Sequence, residues 1–296
     1  MGCNKKLSHR SYFEENTGVK MSVVSACSGD IIGSRFEGTN NVDQPNFRLF
    51  TNKSRFTDDS VLTVATMDAI MRGGSYTDSY KAYYKIYPHS GYGSGFKRWA
   101  NSRSKNGYNS FGNGSAMRVS PVAYAYDKLS EVLKAAKASA MSSHNHEEGI
   151  RGAVAVATAV FMARHGFDKE LIKVTVEKVS GYDLDVKFSA RHIGFDVSCQ
   201  GSVPQAIHVF LAHNGFENIV RKAVMLGGDT DTIASISGAI AGAYYGIPKH
   251  IEIETYRRLP MFMTRKIEMF MRRYVDPLFH APYTKINEDV KSLNMA

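Results

Sequence analysis

Gly227-Gly228-Asp229-Thr230-Asp231-Thr232 opens a run of small and apolar residues, Ile233–Gly246, and the reading of this stretch decides the fold. Two carboxylates and two hydroxyls crowd the start of what the helical spacing marks as a buried helix. Asp and Thr are ordinary N-cap and first-turn residues, because they accept hydrogen bonds from free N–H groups and complement the positive helix end. A second knot of the same kind, Phe56-Thr57-Asp58-Asp59-Ser60, stands far upstream and opens another apolar run. Each knot alone reads as a cap. Together, Asp58, Asp59, Asp229 and Asp231, with the hydroxyls of Thr57 and Thr232, make an all-oxygen ligand set. Four carboxylates at close range repel unless cations lie between them. Hard divalent ions such as magnesium or manganese take such a shell and keep waters in it. Two ions sharing the set would orient a substrate's hydroxyls and supply an activated water. The expectation is therefore that the two helix starts meet.

Outward from the second knot, Gly238 and Gly242 lie four apart on one face among alanines, which lets another helix approach closely. Upstream, Val23–Phe36 is a small-residue core segment around Gly29-Asp30-Ile31-Ile32-Gly33, followed by Glu37. Asn40–Lys53 reads as loop. Thr57 caps a helix with Val61, Leu62, Ala65, Ala69 and Ile70 at helical spacing, ended by Gly73-Gly74. Further helices are expected over Tyr76–Tyr87, Lys97–Ser102, Val119–Tyr126, Leu129–Met141, Ile150–Arg164, Asp168–Ser180, Pro204–Ala212 and Glu217–Met225. Lys249–Tyr274 reads as one amphipathic stretch, and Tyr182–Ser202 is the least regular part. Strand alternation is scarce, and no fixed-period repeat or linker stands out. The reading is a single compact all-α domain over residues 21–276, with a mobile N-terminal tail at 1–20 and a C-terminal tail at 277–296.

Of the 296 residues, 22% are charged and 43% hydrophobic, an ordinary globular composition with enough chain for a substantial core. Three scattered cysteines, Cys3, Cys27 and Cys199, show no metal or disulfide spacing and favour a reducing, cytoplasmic setting. The N-terminus lacks a signal-peptide core, and Ile233–Tyr245 is too short to cross a bilayer, so no membrane partner is expected. A net charge of +9 favours anionic partners in general. Nucleic acid is one of these, less favoured than a solvated basic face.

Two glycine-rich segments, Gly91-Tyr92-Gly93-Ser94-Gly95-Phe96 and Asn109-Ser110-Phe111-Gly112-Asn113-Gly114, each precede a helical stretch. Glycines let backbone N–H groups approach an oxyanion, although a plain loop explains either segment alone. His144 and His146 are spaced wrongly for one helical face, and His144 suits a phosphate better than zinc. Five blocks in order then resemble the ADP-ribosylglycohydrolase family: Gly29–Gly33, Phe56–Ser60, Gly112–Arg118, Ser143-His144 and Gly227–Thr232. The resemblance runs from about Val23 to about Pro248, most of the chain.

That resemblance implies an all-α orthogonal helical domain with a binuclear magnesium site in a cleft. Thr57, Asp58 and Asp59 match the first metal-binding block, and Asp229, Asp231 and Thr232 the second. Gly91, Tyr92, Gly93, Ser94 and Gly95 resemble the loop that wraps the diphosphate. Ser110, Phe111, Gly112 and Asn113 match the segment that contacts diphosphate and adenosine, with Phe111 stacking on adenine, and His144 matches a diphosphate-side histidine. Glu37 falls where some members carry a catalytic glutamate, although a solvated loop acid explains it equally well. The implied reaction is magnesium-dependent release of ADP-ribose from a modified protein, on arginine or serine. An acid protonates the leaving group, and Asp59 or Asp231 orients the nucleophile. Two rivals use the same residues: a two-metal phosphoester or pyrophosphate hydrolase, and a non-catalytic ADP-ribose binder or structural relative.

Overall fold

The computed structural model describes residues 21–39, 42, 44–185 and 195–278. The tail expected over 1–20 and most of the C-terminal one lie outside these residues. Among the described residues every regular element is a helix, and an isolated bridge pairs Gly112 with Ser198. None of the helices is long and apolar enough to cross a membrane.

The chain closes on itself through two helices far apart in sequence, α1 (Ser25–Gly33) and α12 (Thr230–Tyr245). A Cβ added at Gly29 would stand 2.0 Å from the Ala234 carbonyl oxygen, and one at Gly33 2.5 Å from that of Thr230. Gly238 and Gly242 answer from α12, pressed against the Ser25 carbonyl and side chain. The close approach expected of Gly238 and Gly242 is thus made by α1. Gly29→Ala is expected to destabilise the fold by roughly 2–3 kcal/mol, the cost of overpacking against backbone that cannot yield. Urea unfolding beside Gly74→Ala, whose Cβ would meet only Arg72 at 3.9 Å, checks it.

Helix α2 (Asp58–Arg72) starts where expected. Thr57 is its N-cap, with the side chain accepting from the Asp59 N–H, and Gly73 ends it in the left-handed region at φ 61°. α3 (Tyr76–Ile86), α4 (Ser94–Asn101), α5 (Gly114–Met117) and α6 (Val122–Ala125) follow, with α7 (Leu129–Met141). The alanine-rich α8 (Glu147–Arg164) runs through the centre, packed on α7, α12 and the next two helices, α9 (Lys169–Ser180) and α10 (Cys199–Ala212). α11 (Phe216–Met225) leads to α12, and α13 (Lys249–Arg258) and α14 (Met261–Tyr274) complete the fold.

Two boundaries differ from expectation for identifiable reasons. α10 starts at Cys199, not Pro204, because the Ser198 side chain caps it by accepting from the Gly201 N–H. Gln200 and Ser202 therefore sit on a helix rather than in an irregular stretch. The amphipathic stretch 249–274 is two helices, broken at Leu259, which is extended at ψ 138° ahead of Pro260. Proline disfavours a helical residue before it.

Candidate active site

The two acidic knots meet. The Thr232 hydroxyl lies 3.4 Å from Asp59 Oδ2. One oxygen each from Asp30, Asp59 and Asp231 lies within 4.8 Å of the others, and the same holds for Glu37, Asp229 and Asp231. Asp231 belongs to both groups. Asp58, half-buried, joins neither, although it lies near enough to Asp30, Asp229 and Glu37 to feel their charges.

The capping reading holds for Thr57 and fails for Asp229. Asp229 occupies the N-cap position of α12, yet its side chain makes no capping bond. It turns instead to Asn113, whose Nδ2 donates to Asp229 Oδ2 at 2.6 Å. The same Nδ2 donates to the Ser202 hydroxyl at 3.1 Å, and that hydroxyl donates to the Ser198 carbonyl. Asn113 therefore braces Asp229, and Ser202 braces Asn113. Gly227 and Gly228, at φ 76° and 72°, make the sharp entry that frees the Asp229 side chain from the helix.

Asp30 was legible only as part of a matching block and turns out to organise the first knot. It is fully buried. Its oxygens accept from the Thr57 N–H at 3.0 Å, the Thr57 hydroxyl at 2.7 Å and the Ser60 N–H at 3.1 Å, and from the Ser60 hydroxyl. Four donors fill the carboxylate's lone pairs, which leaves it little capacity for an ion. Asp59 is the opposite case: its Oδ1 is buried with no hydrogen-bond partner. Leaving a buried acceptor unpaired costs about 1–3 kcal/mol, more for a charged group.

Burial and mutual repulsion raise the whole cluster's proton affinity. Asp58, Asp59 and Asp231 are held well above the usual carboxylate range, by burial first, then by Asp30 for the first two and by Asp229 for Asp231. Asp30 and Asp229 are raised by burial despite their hydrogen bonds. Glu37, though exposed, is raised by partial burial and by Asp229, with Arg55 opposing. At 4.8 Å and an effective dielectric of about 20, two such charges repel by roughly 3–4 kcal/mol. An acceptor-only cluster with an orphaned oxygen fits a hard divalent cation. The donors free to hold it are Asp59, Asp229, Asp231 and Glu37, with Asp58, Thr57 and Thr232 beside them.

The expected substrate segments surround this cluster. Gly91 passes over Asp58, since a Cβ there would lie 3.1 Å from its Oδ1. Gly93 and Ser94 are exposed, and Gly95 sits against the Tyr108 ring. Tyr92 differs from its neighbours: its ring is buried, stacked on Phe96 at 5.2 Å and edge-on to Tyr84 at 5.1 Å, so it holds the loop from below. Phe111 is 51% exposed, with one ring neighbour in His146. The Ser110 hydroxyl accepts from the Gly112 N–H at 3.1 Å. His144 is buried with Nε2 directed at Gly112 and Gly114. His146 caps α8 through its Nδ1, which accepts from the Glu148 N–H.

Comparison with known proteins agrees with this arrangement. The family model described as ADP-ribosylglycohydrolase matches residues 17–280. ADP-ribosylhydrolase ARH3 of Homo sapiens is 28% identical over 308 residues, 76% of this chain and 84% of its own length. The Mus musculus ARH3 is 30% identical over 258 residues, 65% of this chain and 70% of its own. A solved structure titled "ADP-ribosylglycohydrolase-related protein complex" superposes with a TM-score of 0.66 at 23% identity, covering 86% of this chain and 96% of the other, which speaks to fold alone. With its ordered motifs, its helical fold and a matching model over nearly its whole length, the chain belongs to the ADP-ribosylglycohydrolase family.

Proposed function

We propose that this protein hydrolyses the glycosidic bond between ADP-ribose and a serine-type hydroxyl on a modified protein, with two magnesium ions as cofactors. The observation that carries the reading is Asp231 shared between two acidic groups, one of which contains Glu37. Thr57, Asp58, Asp59, Asp229, Asp231 and Thr232 would hold the ions. When bound, such ions act as Lewis acids toward water and toward the hydroxyls of the ribose.

The chain's own residues bind and orient. Backbone N–H groups of the Gly91–Gly95 loop and of Ser110, Gly112 and Asn113 face the diphosphate, His144 adds a donor, and the exposed Phe111 ring stacks on adenine. As the bond from the anomeric carbon to the leaving oxygen breaks, Glu37 passes its proton to that oxygen. Asp59 or Asp231 orients the water whose oxygen bonds to the anomeric carbon, through an oxocarbenium-like state. The products are ADP-ribose and the free hydroxyl.

The serine assignment rests on the acid. An arginine leaving group is already protonated at neutral pH. A serine ether oxygen carries no proton and needs the one that Glu37, with its raised pKa, retains.

The test is release of ADP-ribose from serine-linked, arginine-linked and DNA-end-linked substrates, beside a phosphodiester, with and without chelator. Serine-linked release is expected to fall about a thousandfold on chelation, the equivalent of several kcal/mol. Phosphate release instead would establish the phosphohydrolase, and ADP-ribose binding without turnover the non-catalytic relative.

A further inference from the structure

Arg118 is a guanidinium with nothing to neutralise it. It is fully buried, and among the described residues it forms no ion pair. Its Cζ lies 3.8 Å from the Tyr80 ring centroid. One nitrogen donates to the Ser139 carbonyl at 3.3 Å and to the Ser143 hydroxyl at 2.7 Å, while Nε and the other terminal nitrogen have no hydrogen-bond partner. Burying an uncompensated charge costs several kcal/mol. Costs of that kind persist where function requires them.

The charge leads to His144. The Ser143 hydroxyl lies 2.8 Å from His144 Nδ1. The ring is fixed edge-on by Tyr108 at 5.5 Å and from the backbone by the His144 N–H, which donates to the Ala140 carbonyl. Nε2 points the other way, and a Cβ at Gly114 would lie 2.9 Å from it and one at Gly112 3.7 Å.

We propose that Arg118 and Ser143 are positioning residues that fix His144 as a neutral imidazole with its proton on Nε2, a donor aimed past Gly112 and Gly114 at the ligand's oxyanion. The oxyanion as a diphosphate rests on the function proposed above; the tautomer does not. Proton bookkeeping supports the assignment. Arginine only donates, so the Ser143 oxygen accepts from it and keeps one hydrogen to give. Among the described residues the acceptor for that hydrogen is His144 Nδ1. A proton on Nδ1 would strand the hydroxyl hydrogen of a fully buried serine. Burial and the nearby Arg118 charge also keep the imidazole from protonating. Hydrogen bonds in series polarise one another, so the buried charge sharpens the Nε2 donor without placing a second cation in the site.

The test reads the tautomer directly, by ring 15N chemical shifts of His144, and titrates ADP-ribose and inorganic pyrophosphate in parallel. In the wild type the proton is expected on Nε2. Ser143→Ala is expected to give a mixture of tautomers and to weaken ADP-ribose binding about tenfold or more, the worth of one hydrogen bond to a charged group. Ser143→Thr, which keeps the hydroxyl, restores the Nε2 proton. A wild-type proton on Nδ1 overturns the proposal even if Ser143→Ala does not fold, and so does a Ser143→Ala protein with unchanged tautomer and affinity. An Nε2 proton with pyrophosphate binding but no ADP-ribose binding upholds the relay and sinks the ADP-ribose reading.

Discussion

Asp231→Asn is expected to cut turnover a thousandfold or more while raising the melting temperature of the metal-free protein. The two effects share one cause. Asp231 is the carboxylate common to both acidic groups, so neutralising it weakens both places where an ion would sit. It is also a buried charge repelled by Asp229 and Asp59. Asparagine keeps the shape and the carbonyl oxygen that accepts from the Thr232 N–H at 3.0 Å, so the helix start survives. Relief of even about 1 kcal/mol of repulsion is worth roughly 2–4 °C in a protein of this size. Calorimetry in chelator and in magnesium separates the parts: the wild type gains stability from magnesium and the variant does not. Wild-type turnover by Asp231→Asn would dismiss the cluster as the reaction centre.

The direction with pH follows from the same carboxylates. Asp30, Asp58, Asp59, Asp229, Asp231 and Glu37 are all raised in the folded chain. Unfolded, such groups titrate near about 3.9 to 4.3. Between those values and the raised ones the folded protein holds more protons than the unfolded. Its stability in chelator therefore falls as pH rises, by about 1.4 kcal/mol per pH unit for each proton retained. Magnesium competes with protons for the same oxygens, so its stabilising effect grows with pH.

The helices and both acidic knots were legible because their signals are local: Thr57 before an apolar run, a glycine after it, carboxylates in a first turn. That the knots meet was an inference from charge, and the Asp59–Thr232 contact bears it out. What the sequence hid is long-range. The donors that fill Asp30 lie 27 and 30 residues away, so nothing beside Asp30 in the chain announces them. Asn113 and Ser202 brace Asp229 from 116 and, through Asn113, 89 residues' separation. Arg118 looked like the polar end of a motif, and only the fold reveals that it is buried without a counter-ion. The start of α10 was misread for a local reason: Pro204 resembles a first-turn proline, but the Ser198 cap had already begun the helix.

Glu37→Gln is expected to slow release from an alkyl oxygen by roughly a hundredfold to ten-thousandfold, the usual range for a lost general acid. KM should move little, because glutamine keeps the length and hydrogen-bonding reach of the side chain. Glu37 is placed for the role by its flanks. Arg35 lies over the Phe36 ring at 4.0 Å, Phe36 packs edge-on to Phe47 at 4.9 Å, and Arg35 donates to the Arg48 carbonyl at 2.6 Å. On the other side, the Gly38 N–H donates to the Gly228 carbonyl and the Gly228 N–H to that of Thr39, each at 2.9 Å. These bonds tie the loop to the entry of the second knot and bring the carboxylate within 4.8 Å of Asp229 and Asp231, exposed though it is. Exposure suits an acid that must meet a leaving group arriving from solvent. The decisive comparison is between leaving groups. An alkoxide needs a proton as it departs, whereas a phenolate with a pKa near about 10 departs with far less help. Glu37→Gln should therefore spare an aryl-linked ADP-ribose while crippling the serine-linked one. Equal losses on both would mean that Glu37 holds the site together and that the proton comes from elsewhere.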